Sequence, residues 1–162
     1  MTGSRIALIA GALLVLGAIN FSIAGKERIK GHGEIVFLDL APRDPRSLMQ
    51  GDYMALRFRL AQDIERSLGS QGPTPRDGEQ RLAPVALDER RIASLAKPGA
   101  PGALEIRWRM RKGAVWLGTN AFFFEEGTDQ RYAPARYGEF RVDRESGEAV
   151  LVGLRDAKLN PL

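Results

Sequence analysis

The chain has 162 residues, which is enough for one compact domain and too few for two large ones. It contains no cysteine and a single histidine, so disulfides, a thiol nucleophile, Cys-ligated zinc or iron–sulfur sites and multi-histidine metal sites are excluded. The net charge is +4, but acidic residues are interspersed among the 24 cations and no run of five like charges occurs, which argues against a nucleic-acid partner. We expect no metal and no cofactor.

The N-terminal segment is the first clear feature. Residues 6–25 form a stretch of 20 residues without a charge, between Arg5 and Lys26. As a helix this stretch is about 30 Å long, the thickness of the hydrocarbon core of a bilayer. It is either a permanent single-span anchor or a signal peptide cleaved after small residues such as Ala24. Its length exceeds that of usual cleavable cores, which favours the anchor.

This reading divides the chain into a membrane anchor with its linker at residues 1–30 and a domain at residues 31–162. A short N-terminal tail usually stays in the cytoplasm, which places the domain in the periplasm of a bacterial inner membrane. The local charges oppose this orientation slightly, because Lys26, Arg28 and Lys30 follow the span whereas only Arg5 and the amino terminus precede it.

The first half of the domain predicts mixed elements. Gly31 to Gly33 predict a flexible exit from the membrane, and residues 34–40, EIVFLDL, predict a strand. Residues 41–50 contain two prolines and predict a loop. Residues 51–60 alternate between apolar and polar side chains and predict a half-buried strand. The apolar face of that strand consists of Met54, Leu56, Phe58 and Leu60.

The following segment shows less regular alternation of apolar and polar residues. Residues 61–68 predict one or two helical turns, and residues 69–81, rich in Gly and Pro, predict a mobile surface loop. Residues 82–87 predict a short strand, which Pro84 places at the edge of a sheet. Residues 88–96 predict a helical turn.

The C-terminal half predicts two hairpins. Residues 104–111 alternate, with Leu104, Ile106, Trp108 and Met110 inward and Glu105, Arg107, Arg109 and Arg111 outward. The dipeptide Lys112-Gly113 predicts a turn into an apolar, aromatic strand at residues 114–124. Residues 125–135 predict a polar loop, and residues 140–143 and 148–154 flank a second turn.

These elements predict a mainly β protein. It has an N-terminal transmembrane helix followed by a small antiparallel β domain of about seven strands, either a sandwich or a partly closed barrel. Among the consecutive aromatics at residues 122–124, one ring must lie on the opposite face of its strand, where it would be available to a partner.

One block of sequence resembles a known family signature. Residues 42–58, PRDPRSLMQGDYMALRF, resemble the D-P-R-x-L-x-x-G-D-Y-x-x-L-x-Y signature of the GDYXXLXY domain family, with Phe58 in place of the last tyrosine. A second block, residues 122–154, is similar to the aromatic segment and C-terminal hairpin of that family, with Glu125 where proline is usual. The resemblance implies a small bacterial membrane-anchored protein of unknown activity, often encoded beside multi-spanning membrane proteins.

The candidate binding surface follows this signature. Loop residues that mix charges with an aromatic ring can form either an internal network or a binding site. The hypothetical binding residues are Arg43, Asp44, Arg46, Gly51, Asp52 and Tyr53, with Arg136 and Tyr137 as neighbours. We assign no catalytic residue. The predicted function is a non-enzymatic accessory or interaction module for an integral membrane partner.

Two alternatives remain open. Residues 47–58 also resemble part of the signal-peptidase box, which implies a serine–lysine hydrolase, but the matching nucleophile position falls near Ala41 rather than at Ser47. The second alternative is a peripheral module that binds anionic lipid through the stripe of Arg107, Arg109 and Arg111. The lipid bilayer is a predicted partner in either membrane-bound reading.

Overall fold

The structure is a computed structural model, and it describes residues 2–41, 49–50, 53–71 and 75–162. These parts of the chain contain three helices and ten strands. In chain order they are α1 (Thr2–His32), β1 (Glu34–Asp39), β2 (Met49–Gln50), β3 (Tyr53–Ala55), α2 (Arg59–Gln71), β4 (Gln80–Leu87), β5 (Ala93–Leu95), β6 (Leu104–Arg111), β7 (Ala114–Trp116), β8 (Ala121–Phe123), α3 (Asp129–Tyr132), β9 (Tyr137–Val142) and β10 (Ala149–Arg155).

The strands form three antiparallel sheets. The first has the order β1-β9-β10, the second β2-β3-β8 and the third β5-β4-β6-β7. A parallel bridge between Phe37 and Ile92 joins the first sheet to the third, and an antiparallel bridge between Leu40 and Phe58 leads from β1 towards α2. The predicted fold class, an N-terminal apolar helix followed by a small antiparallel β domain, is confirmed.

A single core unites the sheets and α2. The largest fully buried side chains come from all three sheets and the segment after β7: Phe140, Leu38, Met54, Ile106, Leu117, Leu154, Val36, Val85 and Val142. On β6 burial alternates strictly from Leu104 to Arg111, as predicted from its sequence. The turn after β6 is also confirmed, because Lys112 and Gly113 both have positive φ, 50° and 73°, as a tight two-residue hairpin requires.

The helix α1 continues directly into the β domain. It runs without interruption to His32, so the flexible exit predicted at Gly31 to Gly33 is wrong. The Gly33 amide donates to the Ile29 carbonyl at 2.7 Å and closes the end of the helix, while the Ile29 side chain is only 8% exposed. Because the last turn of α1 packs on the sheet, there is no linker between the apolar segment and the domain.

The predicted strand at residues 51–60 is partly wrong. The strand β3 ends at Ala55, only an isolated bridge at Phe58 follows it in the described residues before α2, and α2 begins at Arg59. Met54, Leu56, Phe58 and Leu60 are nevertheless all buried. Alternation in an extended chain and a helical spacing of Leu60, Ala61 and Ile64 place the same apolar side chains in the core, so the sequence pattern did not distinguish the two. The helix is also longer than the one or two turns predicted, and it reaches Gln71.

The predicted edge position of Pro84 is wrong. Strand β4 spans eight residues and lies between β5 and β6. The Pro84 carbonyl accepts from the Ala96 amide at 2.8 Å on the β5 side, just beyond the end of β5. The nitrogen and the carbonyl of one strand residue face the same neighbouring strand. The position without an N–H at Pro84 therefore faces the end of β5, and the pairing of β4 with β6 loses no hydrogen bond.

Three smaller predictions also differ. Residues 88–96 contain β5 rather than a helical turn, and residues 125–135 contain the short helix α3. The predicted strand at residues 114–124 is divided into β7 and β8. The division follows from Gly118, whose φ of 65° breaks the extended chain and whose Cα lies against the Ala149 carbonyl.

Candidate functional site

One candidate surface lies where the family-like signature meets β8. Tyr53 on β3 is paired with Phe123 on β8, and their ring centroids are 5.8 Å apart. The Phe123 side chain is 74% exposed, the largest exposure of an aromatic ring within the described β domain. The prediction that one of the three consecutive aromatics faces away from the core is therefore confirmed.

The neighbouring aromatics of this run point the other way. Phe122 and Phe124 are half-buried and contact the Tyr132 ring on α3, with centroid distances of 5.0 and 5.3 Å. The short helix α3 therefore packs against one side of β8, and Phe123 lies on the other, exposed side. An aromatic ring fixed in this way on a supported strand presents a preformed apolar contact.

The predicted binding residues fall into two groups. Arg43, Asp44, Arg46, Gly51 and Asp52 lie outside the described residues. The remaining three are described: Tyr53 lies on β3, Tyr137 begins β9 in a different sheet, and Arg136 directly precedes β9.

Arg136 and Tyr137 lie beside the end of β1. The Leu40 amide donates to the Arg136 carbonyl at 2.8 Å, and Tyr137 is paired with Asp39. The Arg90 guanidinium lies over the Tyr137 ring, 5.9 Å from its centroid. These two residues therefore adjoin the point where the chain enters residues 42–48, and Tyr53 directly follows the second segment outside the described residues, 51–52.

A second candidate site includes Arg107 and Arg109 of the cationic stripe predicted on β6, although its cavity and its other residues were not predicted from the sequence. A cavity of about 300 Å³ lies between the outer face of β6, the end of β7 and the start of β10, and Lys26 of α1 reaches its rim. Its polar and aromatic lining consists of Lys26, Gln80, Arg107, Trp108, Arg109, Trp116 and Glu148. Three cations, one carboxylate and one amide therefore share this space.

Two of the cations in this cavity are held in place by neighbours. Arg107 donates to the Ser146 carbonyl in the β9–β10 turn at 2.7 Å. The Arg109 guanidinium lies 5.9 Å from the centroid of the Trp116 ring, and that of Arg111 lies 4.5 Å from it. The register of the β6–β7 hairpin, in which Arg109 is paired with Trp116, was the sequence signal that could have indicated this stacking.

The turn that holds Arg107 is itself ordered by a carboxylate. The Ser146 hydroxyl and the Ser146 amide donate to Asp143, at 2.5 and 3.1 Å. These two hydrogen bonds, together with the nearby charges of Arg28 and Arg107, hold the pKa of Asp143 below its ordinary value. At neutral pH the turn is therefore fixed by an ionised side chain.

Neither a group of metal-ligating side chains nor a buried lysine amine occurs among the described residues. Within the described residues, no group of three His, Cys, Asp or Glu side chains is placed to hold a metal ion. Each of the five lysines is exposed, whereas the base of a serine–lysine pair relies on burial of its amine. Ser47, the serine nearest the nucleophile position, lies outside the described residues.

Comparison with known proteins agrees with the sequence signature. A family model described as "GDYXXLXY protein" matches residues 15–154, from the middle of α1 to β10. Searches of the curated proteins and of the solved structures find no match.

Proposed function

The chain belongs to the GDYXXLXY family, and from this premise we propose that it is a non-enzymatic accessory protein anchored in the bacterial inner membrane, whose β domain lies in the periplasm beside an integral membrane partner. Residues Ala7–His32 of α1 are long and apolar enough to span a membrane. The apolar side chains of this stretch are exposed, as shown by Leu14 and Phe21, and therefore need lipid or another helix as a cover.

The observation that carries the proposal is the rigid connection between α1 and the domain. The helix contacts β9 and β10 of the first sheet, Ile29 near its end is buried, and Lys26 forms an ion pair with Glu148, which directly precedes β10. A domain fixed to its anchor in this way has a defined height and orientation above the bilayer. Confinement to the membrane surface raises its effective concentration for membrane neighbours.

The span itself offers a polar contact for a partner helix. Asn20 lies within the apolar segment, and its side-chain amide donates to the Leu16 carbonyl at 2.8 Å. Its amide oxygen is available as an acceptor, and polar side chains of this kind hydrogen-bond across neighbouring helices in a bilayer. We therefore take the partner to be a multi-spanning membrane protein, contacted by α1 within the bilayer and by the Phe123 surface outside it.

Site-specific photo-crosslinking of the full-length chain in intact cells tests the partner. Benzoylphenylalanine replaces Phe21 in the span or Phe123 on β8, both highly exposed, and Arg66 on α2 serves as the control position. We expect the same multi-spanning protein to be crosslinked from Phe21 and from Phe123, and not from Arg66. Adducts with lipid alone from Phe21, together with none from Phe123, would contradict the proposal.

The absence of cysteine allows a direct test of orientation. Ser94 on β5 is exposed, and Ser4 precedes the apolar stretch. In cells with a permeabilised outer membrane, a membrane-impermeant maleimide should label a Ser94→Cys variant and leave a Ser4→Cys variant unlabelled until the inner membrane is dissolved. The reverse pattern would place the domain in the cytoplasm.

A further inference from the structure

We propose that the cavity between β6, β7 and β10 binds the phosphate-bearing headgroup of an anionic phospholipid. Its lining includes Lys26, Arg107 and Arg109, with Gln80 as a further donor. This inference rests on the proposed anchoring of α1, because it is the anchor that brings the cavity to the lipid surface.

The charge of the cavity favours an anion. Three cations face it and Glu148 is the acidic residue in its lining, so the site keeps an excess of two positive charges. Glu148 is paired with Lys26, whereas Arg107 makes its hydrogen bond to a neutral carbonyl and Arg109 lies over an aromatic ring. Within the described residues neither guanidinium forms an ion pair, although the charge of Arg107 also acts on nearby Asp143, and both keep further N–H donors for a phosphate group.

The position of the cavity selects a lipid as the source of that phosphate. Lys26 is the first charged residue after the uncharged stretch 6–25, so it lies where the hydrocarbon core gives way to the headgroups. The same side chain lines the cavity. Because α1 packs on the domain without a linker, the cavity stays at this level of the bilayer.

Trp116 adds a second feature typical of a membrane interface. Its half-buried ring forms part of the cavity wall and carries Arg109 and Arg111 on its faces. Indole rings are enriched at the headgroup level, where one part of the side chain meets apolar chains and another meets polar groups. A volume of about 300 Å³ accommodates a phosphate with its attached glycerol and leaves the acyl chains in the bilayer.

The test uses the full-length chain in nanodiscs made of phosphatidylcholine alone or of an equimolar mixture with phosphatidylglycerol. After gentle release into detergent, native mass spectrometry counts the lipids that each protein molecule retains. We expect the wild type to retain phosphatidylglycerol in preference to phosphatidylcholine. An Arg107→Gln/Arg109→Gln variant should retain it roughly thirtyfold less, because it lacks two cations and each contributes about fivefold to binding at an anionic surface.

An Arg66→Gln/Arg131→Gln variant is the matched control, since it removes the same charge from exposed positions on α2 and α3, outside the cavity. Equal retention by both double variants would overturn the proposal. Inorganic phosphate alone is added to the detergent-solubilised protein as a separate arm. Displacement of the lipid by millimolar phosphate, without a preference between the two lipids, would assign the site to free phosphate instead.

Failure of this inference is distinguishable from failure of the proposed function. Resistance of the full-length protein to alkaline extraction from membranes reports the anchor alone. A protein that resists extraction and shows no preference for phosphatidylglycerol overturns only the headgroup site. A protein that is extracted without detergent overturns the anchoring on which both depend.

Discussion

Lys26 on α1 forms an ion pair with Glu148, which directly precedes β10. The pair joins the first charged residue after the apolar segment to the residue before a strand of the first sheet, 122 positions further along the chain. Both side chains remain partly exposed, so the pair alone contributes little to stability. The position of the domain on its anchor therefore depends on the packing around Ile29 and Gly33. The ion pair helps to orient the domain relative to α1.

Replacement of Gly33 should disturb this junction. A Cβ at position 33 would lie 2.5 Å from the Ile29 carbonyl oxygen and 3.0 Å from both the Arg141 Cβ and the Val142 nitrogen. Because two of these atoms are backbone, the helix end must move away from β9, and we expect Gly33→Ala to cost about 1–3 kcal/mol. Thermal unfolding of the full-length chain in detergent and amide hydrogen exchange at residues 29–33 measure the effect.

The neighbouring Gly31 provides the matched control. A Cβ there meets nothing within 4 Å, and the residue is helical. Gly31→Ala should therefore leave the junction intact and raise helix stability by up to about 1 kcal/mol. If both variants behave alike, the close contact at Gly33 does not hold the junction.

A second pair of glycines tests the packing of the first sheet. A Cβ on Gly138 of β9 would lie 2.9 Å from the Phe58 ring, which itself packs edge-to-face on Phe140 at 5.2 Å between centroids. Overpacking of this site should make Gly138→Ala less stable by about 1–3 kcal/mol in urea unfolding. Gly153 on the adjacent strand β10 has open space at its Cα, so Gly153→Ala should be neutral or slightly stabilising. Equal losses in the two variants would contradict this account.

The predictions from the sequence were accurate for strands that bury one face and expose the other. The alternation of residues 104–111 fixed both the strand β6 and its buried face, and Lys112-Gly113 fixed the turn that follows. These signals are local, because burial on one face imposes a period of two on the sequence itself. The aromatic run at residues 122–124 is a similar case, since three consecutive rings in a strand cannot share one face.

Features that depend on distant contacts were not predictable in the same way. The helix α2 replaces the end of a predicted strand because Leu60, Ala61 and Ile64 pack into a core formed by sheets elsewhere in the chain. Pro84 is tolerated inside a sheet because β5 ends beside it. The cationic cavity requires Lys26, Arg107 and Glu148 to converge from α1, β6 and the start of β10, and no spacing within the sequence indicates that convergence.

The buried ion pair of β9 and β10 should be sensitive to the loss of one partner. Glu139 is 6% exposed, and the Arg155 Nε donates to its carboxylate at 2.6 Å. Arg155→Met leaves a buried charge uncompensated, and we expect a loss of about 3 kcal/mol in the free energy of unfolding. The double variant Glu139→Gln/Arg155→Met removes both charges and should recover most of that loss.

The pair between Arg59 and Asp39 is the exposed counterpart, with a distance of 2.9 Å. Arg59→Met should cost less than about 1 kcal/mol, because water and salt screen exposed charges. A loss as large as that of Arg155→Met would show that burial does not determine the difference.

The β9–β10 turn should respond to acid through Asp143. Hydrogen bonds from the Ser146 hydroxyl and amide lower the pKa of Asp143 in the folded protein. A group with a lowered folded-state pKa stabilises the fold fully above its ordinary pKa and loses that contribution as the pH falls through the lowered value. We therefore expect the melting temperature of the wild type to exceed that of Asp143→Asn at neutral pH, and the gap to close as the pH falls below about 4. Melting curves of both proteins over this range provide the measurement, and a gap that stays constant with pH would assign the role of Asp143 to hydrogen bonding that does not depend on its charge.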